Sequence, residues 1–191
     1  LEKDITGCHN LGQVTAKAKG ATALANMKKV QDRAYKKLKI YAALVGGDIV
    51  FLINENIIGN RGGSKFSPGT KTSTNLTGIC YSRRLLNINN FNKTLNSKTE
   101  FVTINQVSLG ANDYDYKLKE ITDSVFLEKI YLDGDNIIVD CKMKEEIVDR
   151  ISKKSKIVSV DRRFKLIRFD NNSFTLMREK KSRIYNITIL H

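Results

Sequence analysis

Residues 22–53 read TALANMKKVQDRAYKKLKIYAALVGGDIVFLI, and this stretch decides the first fold of the chain. Met27, Val30, Ala34, Leu38, Tyr41 and Val45 recur at steps of three and four, the period of one helical face. Lys28, Lys29, Arg33, Lys36 and Lys37 mostly take the other face. Thr22 offers a hydroxyl that can accept an orphan N–H at the helix start. Gly46-Gly47 offer left-handed backbone to end it. The run Asp48-Ile49-Val50-Phe51-Leu52-Ile53 is too short for a helix and suits a buried strand. An amphipathic helix feeding straight into a buried strand is the second half of a βαβ unit.

Outward from this stretch, residues 6–18 read as the first strand, with Cys8, Gly12, Val14 and Ala16 on the parity that faces the helix. After the second strand comes a glycine-rich loop, residues 59–69, and then a third strand from about Thr72 to Arg83. The loop lacks the Gly-x-x-x-x-Gly-Lys-Ser/Thr spacing and leads into a strand, so it reads as a hairpin tip rather than a phosphate cradle. A crossover helix makes strands one and two parallel, and the hairpin sets strand three antiparallel to both. Strand three is expected beside strand one. Cys80, at the end of strand three, then lies towards Cys8 at the start of strand one. A Cys8–Cys80 disulfide and two reduced core thiols both remain open until the register is known.

The composition bounds the function classes. The net charge is +13, with +9 in residues 1–90 and +4 in residues 91–191. Such an excess suits nucleic acid, acidic glycans or an anionic membrane surface, or simply solvated lysines. No apolar run approaches the ~20 residues that span a bilayer, and no charged-then-apolar segment opens the chain. The sequence begins at Leu1 rather than Met, which leaves a removed secretion or lipoprotein signal open. Three cysteines permit one disulfide and one thiol.

Several motifs carry a family resemblance. The strand with Cys8 and Gly12-Gln13-Val14, the long helix, Gly46-Gly47-Asp48-Ile49-Val50 and the closing Thr77-Gly78-Ile79-Cys80-Tyr81 resemble the small βαββ domains of the YbjQ and RcsF type. The resemblance covers about residues 6–84. Gly47-Asp48 replaces that pattern's Ala-Asn, and Ile79-Cys80 departs from its Gly-x-Ala. The YbjQ-like families carry a heavy-metal-binding label, and the RcsF-like lipoprotein senses envelope stress through protein contacts. The resemblance therefore implies a non-enzymatic protein of the bacterial cell envelope, periplasmic or lipid-anchored, with a cytoplasmic location as the alternative.

Residues 85–100 are rich in Asn and turn formers and read as a linker. From Phe101 onward, alternating runs separated by Asp133-Gly134-Asp135 and Asp170-Asn171-Asn172 read as antiparallel strands and hairpins. Met143, Ile147 and Ile151 recur every four residues and suggest one short helix over 142–154. The expected fold is α+β. It comprises an N-terminal βαββ sandwich over 1–84, a three-stranded sheet with one covering helix. The linker 85–100 follows, and 101–191 form a mostly antiparallel β domain: a meander, barrel or sandwich.

The sequence offers little chemistry. Cys8-His9, Cys80 and Cys141 are dispersed, without a Cys-x-x-Cys or His-x-x-x-His pair, so no metal site, cofactor or catalytic residue is expected. Asp113 and Asp115, and Asp133 and Asp135, are spaced as turn residues that a hard cation could borrow. Tyr114, Tyr116, Phe126 and Tyr131 suit cross-strand packing or base stacking. Lys153-Lys154-Ser155-Lys156 and Arg162-Arg163 read as charged turns. The leading expectation is protein–protein contact with an unidentified partner. The alternative is nucleic-acid or polyanion binding through Lys28, Lys29, Arg33, Lys36 and Lys37, whose affinity would fall steeply with salt. Oligomeric state is not legible.

Overall fold

The computed structural model describes residues 5–20, 25–59, 72–110, 113, 115–148, 155–180 and 183–190. The chain divides into two compact units, Leu1–Leu85 with Leu109–Tyr116, and Leu86–Ser108 with Lys117–His191. The fold is α+β. Among the described residues no helix is long and apolar enough to cross a membrane.

Unit 1 holds β1 (His9–Lys19), α1 (Met27–Leu44), β2 (Ile49–Ile58) and β3 (Ser73–Ser82), with sheet order β1-β3-β2. Strand three lies beside strand one, as expected, and is antiparallel to both neighbours. Alternation along β1 buries Val14, Ala16 and Ala18 against Val30, Ala34, Leu38 and Ala42 of α1, with Leu76 and Cys80 of β3 beneath. Asn26 caps α1, its side chain accepting from the Lys29 N–H. Thr22, the cap suggested by the sequence, lies outside the described residues. The expected apolar face of α1 also frays at its start, where Met27 is exposed.

The Gly46-Gly47 pair divides its labour. Gly46 is left-handed at φ +90°. The Gly46 N–H donates to Ala43 O and the Gly47 N–H to Ala42 O, which closes the helix with a Schellman pattern. Gly47 itself is required for space, because a Cβ there would stand 2.0 Å from Cys80 Sγ. The Cys80 thiol in turn donates to Ala42 O at 3.9 Å. One contact thus joins the end of α1, the start of β2 and the middle sheet strand.

β2 is not the buried strand that its composition suggested. It occupies a sheet edge, only Val50 and Leu52 pack partly against the core, and a bulge falls between Leu52 and Asn54. Gly78 on β3 lets it approach, since a Cβ there would lie 2.6 Å from Val50 Cγ1.

Unit 2 holds α2 (Ile88–Leu95), β4 (Glu100–Gly110), β5 (Lys117–Glu120), β6 (Ser124–Asp133), β7 (Asn136–Val148), β8 (Ser155–Phe169), β9 (Ser173–Lys180) and β10 (Arg183–Leu190). The order β10-β9-β8-β7-β6-β4 closes by pairing of β10 with β4, giving a six-stranded barrel with β5 further along β4. The open choice among meander, barrel and sandwich is therefore resolved as a barrel.

Two sequence expectations are corrected in this unit. Residues 85–100 carry α2 rather than a linker, and Phe91 and Leu95 enter the barrel core. Their asparagines serve as caps. Asn87 accepts from the N–H groups of Asn89 and Asn90, and Asn96 closes the helix in the left-handed region at φ 48°. Of the helix expected over 142–154, residues 142–148 are instead part of strand β7, paired with β8 from Met143↔Val160 to Val148↔Ser155, and 149–154 lie outside the described residues. A spacing of four also preserves strand parity, so it fits a strand as well as a helix.

Two stability tests follow from this packing. Gly47→Ala overpacks the thiol and should cost about 2 kcal/mol in chemical denaturation. In combination with Cys80→Ala the loss should be smaller than the sum of the single variants by at least about 1 kcal/mol. Additive losses would show that the contact is not what excludes a side chain at position 47. Thr74 Oγ1 is fully buried and has no hydrogen-bond partner among the described residues. Thr74→Val, which removes that hydroxyl at nearly constant shape, should raise stability by about 1 kcal/mol.

Candidate functional site

The most distinctive surface of unit 1 is the outer edge of β2. Val50, opposite Cys80, turns towards α1, while Phe51, opposite Ile79, turns to the other face. Phe51 is 37% exposed and Ile53 51% exposed, and Ile57 and Ile58 are exposed beyond them. Among the described residues β2 pairs with β3 alone. Edge strands are ordinarily blunted by charged residues, proline, bulges or covering segments, and of these β2 has one bulge, between Leu52 and Asn54, and one charge. β2 contains neither lysine nor proline, and its single charge is Glu55. Glu55 accepts a hydrogen bond from the Tyr35 hydroxyl at 3.0 Å. Desolvation, with Glu55 adding to it, raises the pKa of Tyr35. The opposite edge, β1, carries Lys17 and Lys19 exposed along it and so follows the usual protective pattern.

The five basic residues of α1 that were candidates for polyanion contact do not behave alike. Lys28, Lys29 and Arg33 are exposed. Lys36 forms an ion pair with Asp115. Lys37 is only 6% exposed, and desolvation lowers its pKa against the opposing pull of Asp113.

The three cysteines stand as thiols. The register sets Cys80 opposite Gly12 and His9 opposite Ser82. Continued by one residue, it places Cys8 three positions beyond Cys80's partner level, about 10 Å along the strand. A disulfide tolerates at most about 7 Å between Cα atoms, so the expected approach of the two strand ends is real but misses by register. Cys141 lies in the barrel core, where burial, aided by Asp140 and Glu128, pushes its thiol up to about 12. That thiol is protonated at neutral pH and is no nucleophile.

The remaining candidates resolve into structural roles. Among the described residues no cluster of three or more His, Cys, Asp or Glu could hold a metal ion. Asp113 accepts from the Gly110 N–H at 2.9 Å, and Asp133 closes the β6–β7 hairpin around Gly134 at φ 56°. Arg162 and Arg163 are not in a turn but in the middle of β8, and Arg163 donates to Asp140 at 2.9 Å. Tyr131 lies beneath Lys129 and Arg163, at 5.0 and 5.8 Å from its ring centre. Tyr116 and Phe126 are exposed. Residues 60–69 of the glycine-rich loop, Tyr114, Lys153, Lys154 and His191 lie outside the described residues. The Asp170 turn is built by its own carboxylate. It accepts from the N–H groups of Asn172 and Ser173 at 2.9 Å each, and these bonds, that of Asn172 foremost, lower its pKa.

The thiol chemistry has a direct readout. Under denaturing, non-reducing conditions three thiols should titrate. In the native protein at pH 8, Cys141 should react with a small disulfide reagent only at the rate of unfolding. Rapid modification of Cys141 in the folded chain would contradict its placement in the core.

No protein-family model matches this chain, and no curated protein or solved structure matches it either.

Proposed function

We propose that this chain is a non-enzymatic protein of the bacterial cell envelope that acts through protein contacts, with the β2 edge of unit 1 as the contact. The single observation behind this reading is that edge: ten residues, seven of them apolar, without lysine or proline, and paired with β3 alone among the described residues. The chemistry such an edge recognises is an extended segment of a partner. Main-chain hydrogen bonds would supply affinity, and side chains meeting Phe51 and Ile53 would supply specificity. The resemblance of residues 6–84 to the YbjQ and RcsF type, carried by sequence motifs, supports an envelope location. It also favours protein contact over catalysis.

Polyanion binding is the weaker reading, because Lys37 is buried and Lys36 is engaged by Asp115. Lys28, Lys29, Arg33 and Lys36 are exposed on α1, but the charge of Lys36 is already offset by Asp115.

A photo-crosslinking residue at position 53, in the full chain and in cells, should yield one discrete adduct in the envelope fraction. The same residue at Gln13 on β1 should not. Equal labelling from both positions, or none from position 53, would sink the reading. Salt-sensitive heparin retention that disappears in a Lys28→Glu, Lys29→Glu, Arg33→Glu variant would support the polyanion reading instead.

A further inference from the structure

The barrel of unit 2 changes character along its inner wall. On the β9–β10 hairpin Phe174 faces Ile189, Leu176 faces Ile187, and Arg178 faces Tyr185. The first two layers belong to the buried core, while Arg178 and Tyr185 are half-buried. At the Phe174 end α2 supplies a plug, with the Phe91 ring 5.4 Å from both Phe169 and Phe174. At the Arg178 end a cavity of about 550 Å³ opens. Small-molecule sites commonly enclose about 300–1,000 Å³ and occur in the mouths of β-barrels.

The lining of this cavity specifies a ligand class. Its floor includes Ile121, Met143, Phe164 and Ile187, all buried and apolar. The Arg178 guanidinium lies over the Phe164 ring, 5.9 Å from its centre. Among the described residues Arg178 has no carboxylate within ion-pair distance. A cation held partly out of water without a counter-ion is under-compensated, and a planar oxyanion can satisfy a guanidinium through two hydrogen bonds. Lys119 and Lys180 line the same mouth and add positive charge. Glu120 and Asp123 stand exposed at the rim and offset two of the three cations, which leaves a single net positive charge and favours a ligand with one negative charge.

We propose that the open end of the barrel binds a small amphipathic monoanion. Its carboxylate or sulfonate head rests on Arg178 and Lys180, and its aromatic or short aliphatic body lies on Met143 and Phe164. This site is independent of the β2 edge and does not rest on the protein-contact reading.

The chain contains three methionines, Met27 in unit 1 and Met143 and Met177 in the barrel, which gives a site-specific readout. The full chain, labelled with carbon-13 at its methionine methyls, would be titrated with 8-anilinonaphthalene-1-sulfonate as the probe. The Met143 signal should move saturably with one-to-one stoichiometry while Met27 stays fixed. Decanoate should displace the dye; decylammonium and inorganic phosphate should not. Arg178→Gln should weaken binding at least tenfold. Lys180→Gln, at an exposed position that cannot unfold the barrel, should weaken it severalfold. Movement of Met27 without Met143, undiminished affinity in Lys180→Gln, or displacement by decylammonium or phosphate would each overturn the proposal.

Discussion

A β-strand carries hydrogen-bonding groups on both edges, and each edge must be paired, covered or left to water. The two units meet this constraint in opposite ways. Unit 2 closes six strands on themselves by pairing β10 with β4, which leaves the short β5 at the end of the row. Among the described residues unit 1 has three strands and an open sheet, so the central place of β3 makes β1 and β2 its edges. That central place also makes β1 and β2 parallel, and parallel strands demand a crossover, which is the role of α1. The crossover ends in a tight corner, where Gly47 has no side chain because Cys80 Sγ fills its space. Helix end, strand order and edge exposure are thus one linked set of choices.

Much of unit 1 was legible because its signals are local. The three-four spacing of Val30, Ala34 and Leu38 identifies a buried helix face, and the three residues are buried. The alternation of Val14, Ala16 and Ala18 identifies the buried face of β1 in the same way. What was not legible depends on register. Topology alone brings the end of β3 towards the start of β1, but a bulge between Asn10 and Gly12 and the pairing of Cys80 with Gly12 separate the two thiols. No composition or periodicity encodes an offset of three residues between strands that are sixty residues apart in sequence.

The misreadings in unit 2 have a different cause, which is ambiguity in the residues themselves. Asparagine favours turns, helix starts and left-handed helix ends for the same reason: its short side chain bonds to nearby backbone. Residues 85–100 therefore resemble a linker, while Asn87 and Asn96 in fact bracket α2. A different signal was available there. Ile88, Phe91 and Leu95 recur at three and four, and the last two are buried. Met143 and Ile147 present the converse problem, since their spacing of four satisfies a helix and a strand equally. Only the partner residues across β7 and β8 decide between them.

Both candidate binding surfaces lie where local character and burial disagree. Phe51 and Ile53 are apolar and exposed, and Arg178 is charged and half-buried beneath the barrel mouth. Each mismatch is costly to a chain alone, because exposed apolar edge invites pairing and a partly desolvated cation lacks compensation. Elsewhere caps close the helices, turns carry Gly or Asp, and inward parity is mostly apolar, with Lys37 and Thr74 as buried polar exceptions in unit 1. Consistency elsewhere gives the exceptions their weight, since sequences commonly depart from local rules at functional positions. The two departures also differ in what would relieve them. An exposed edge is relieved by another strand, hence by a macromolecule. A half-buried guanidinium above an apolar floor is relieved by a small ligand with one charged end, and a protein surface could not enter the barrel to provide it.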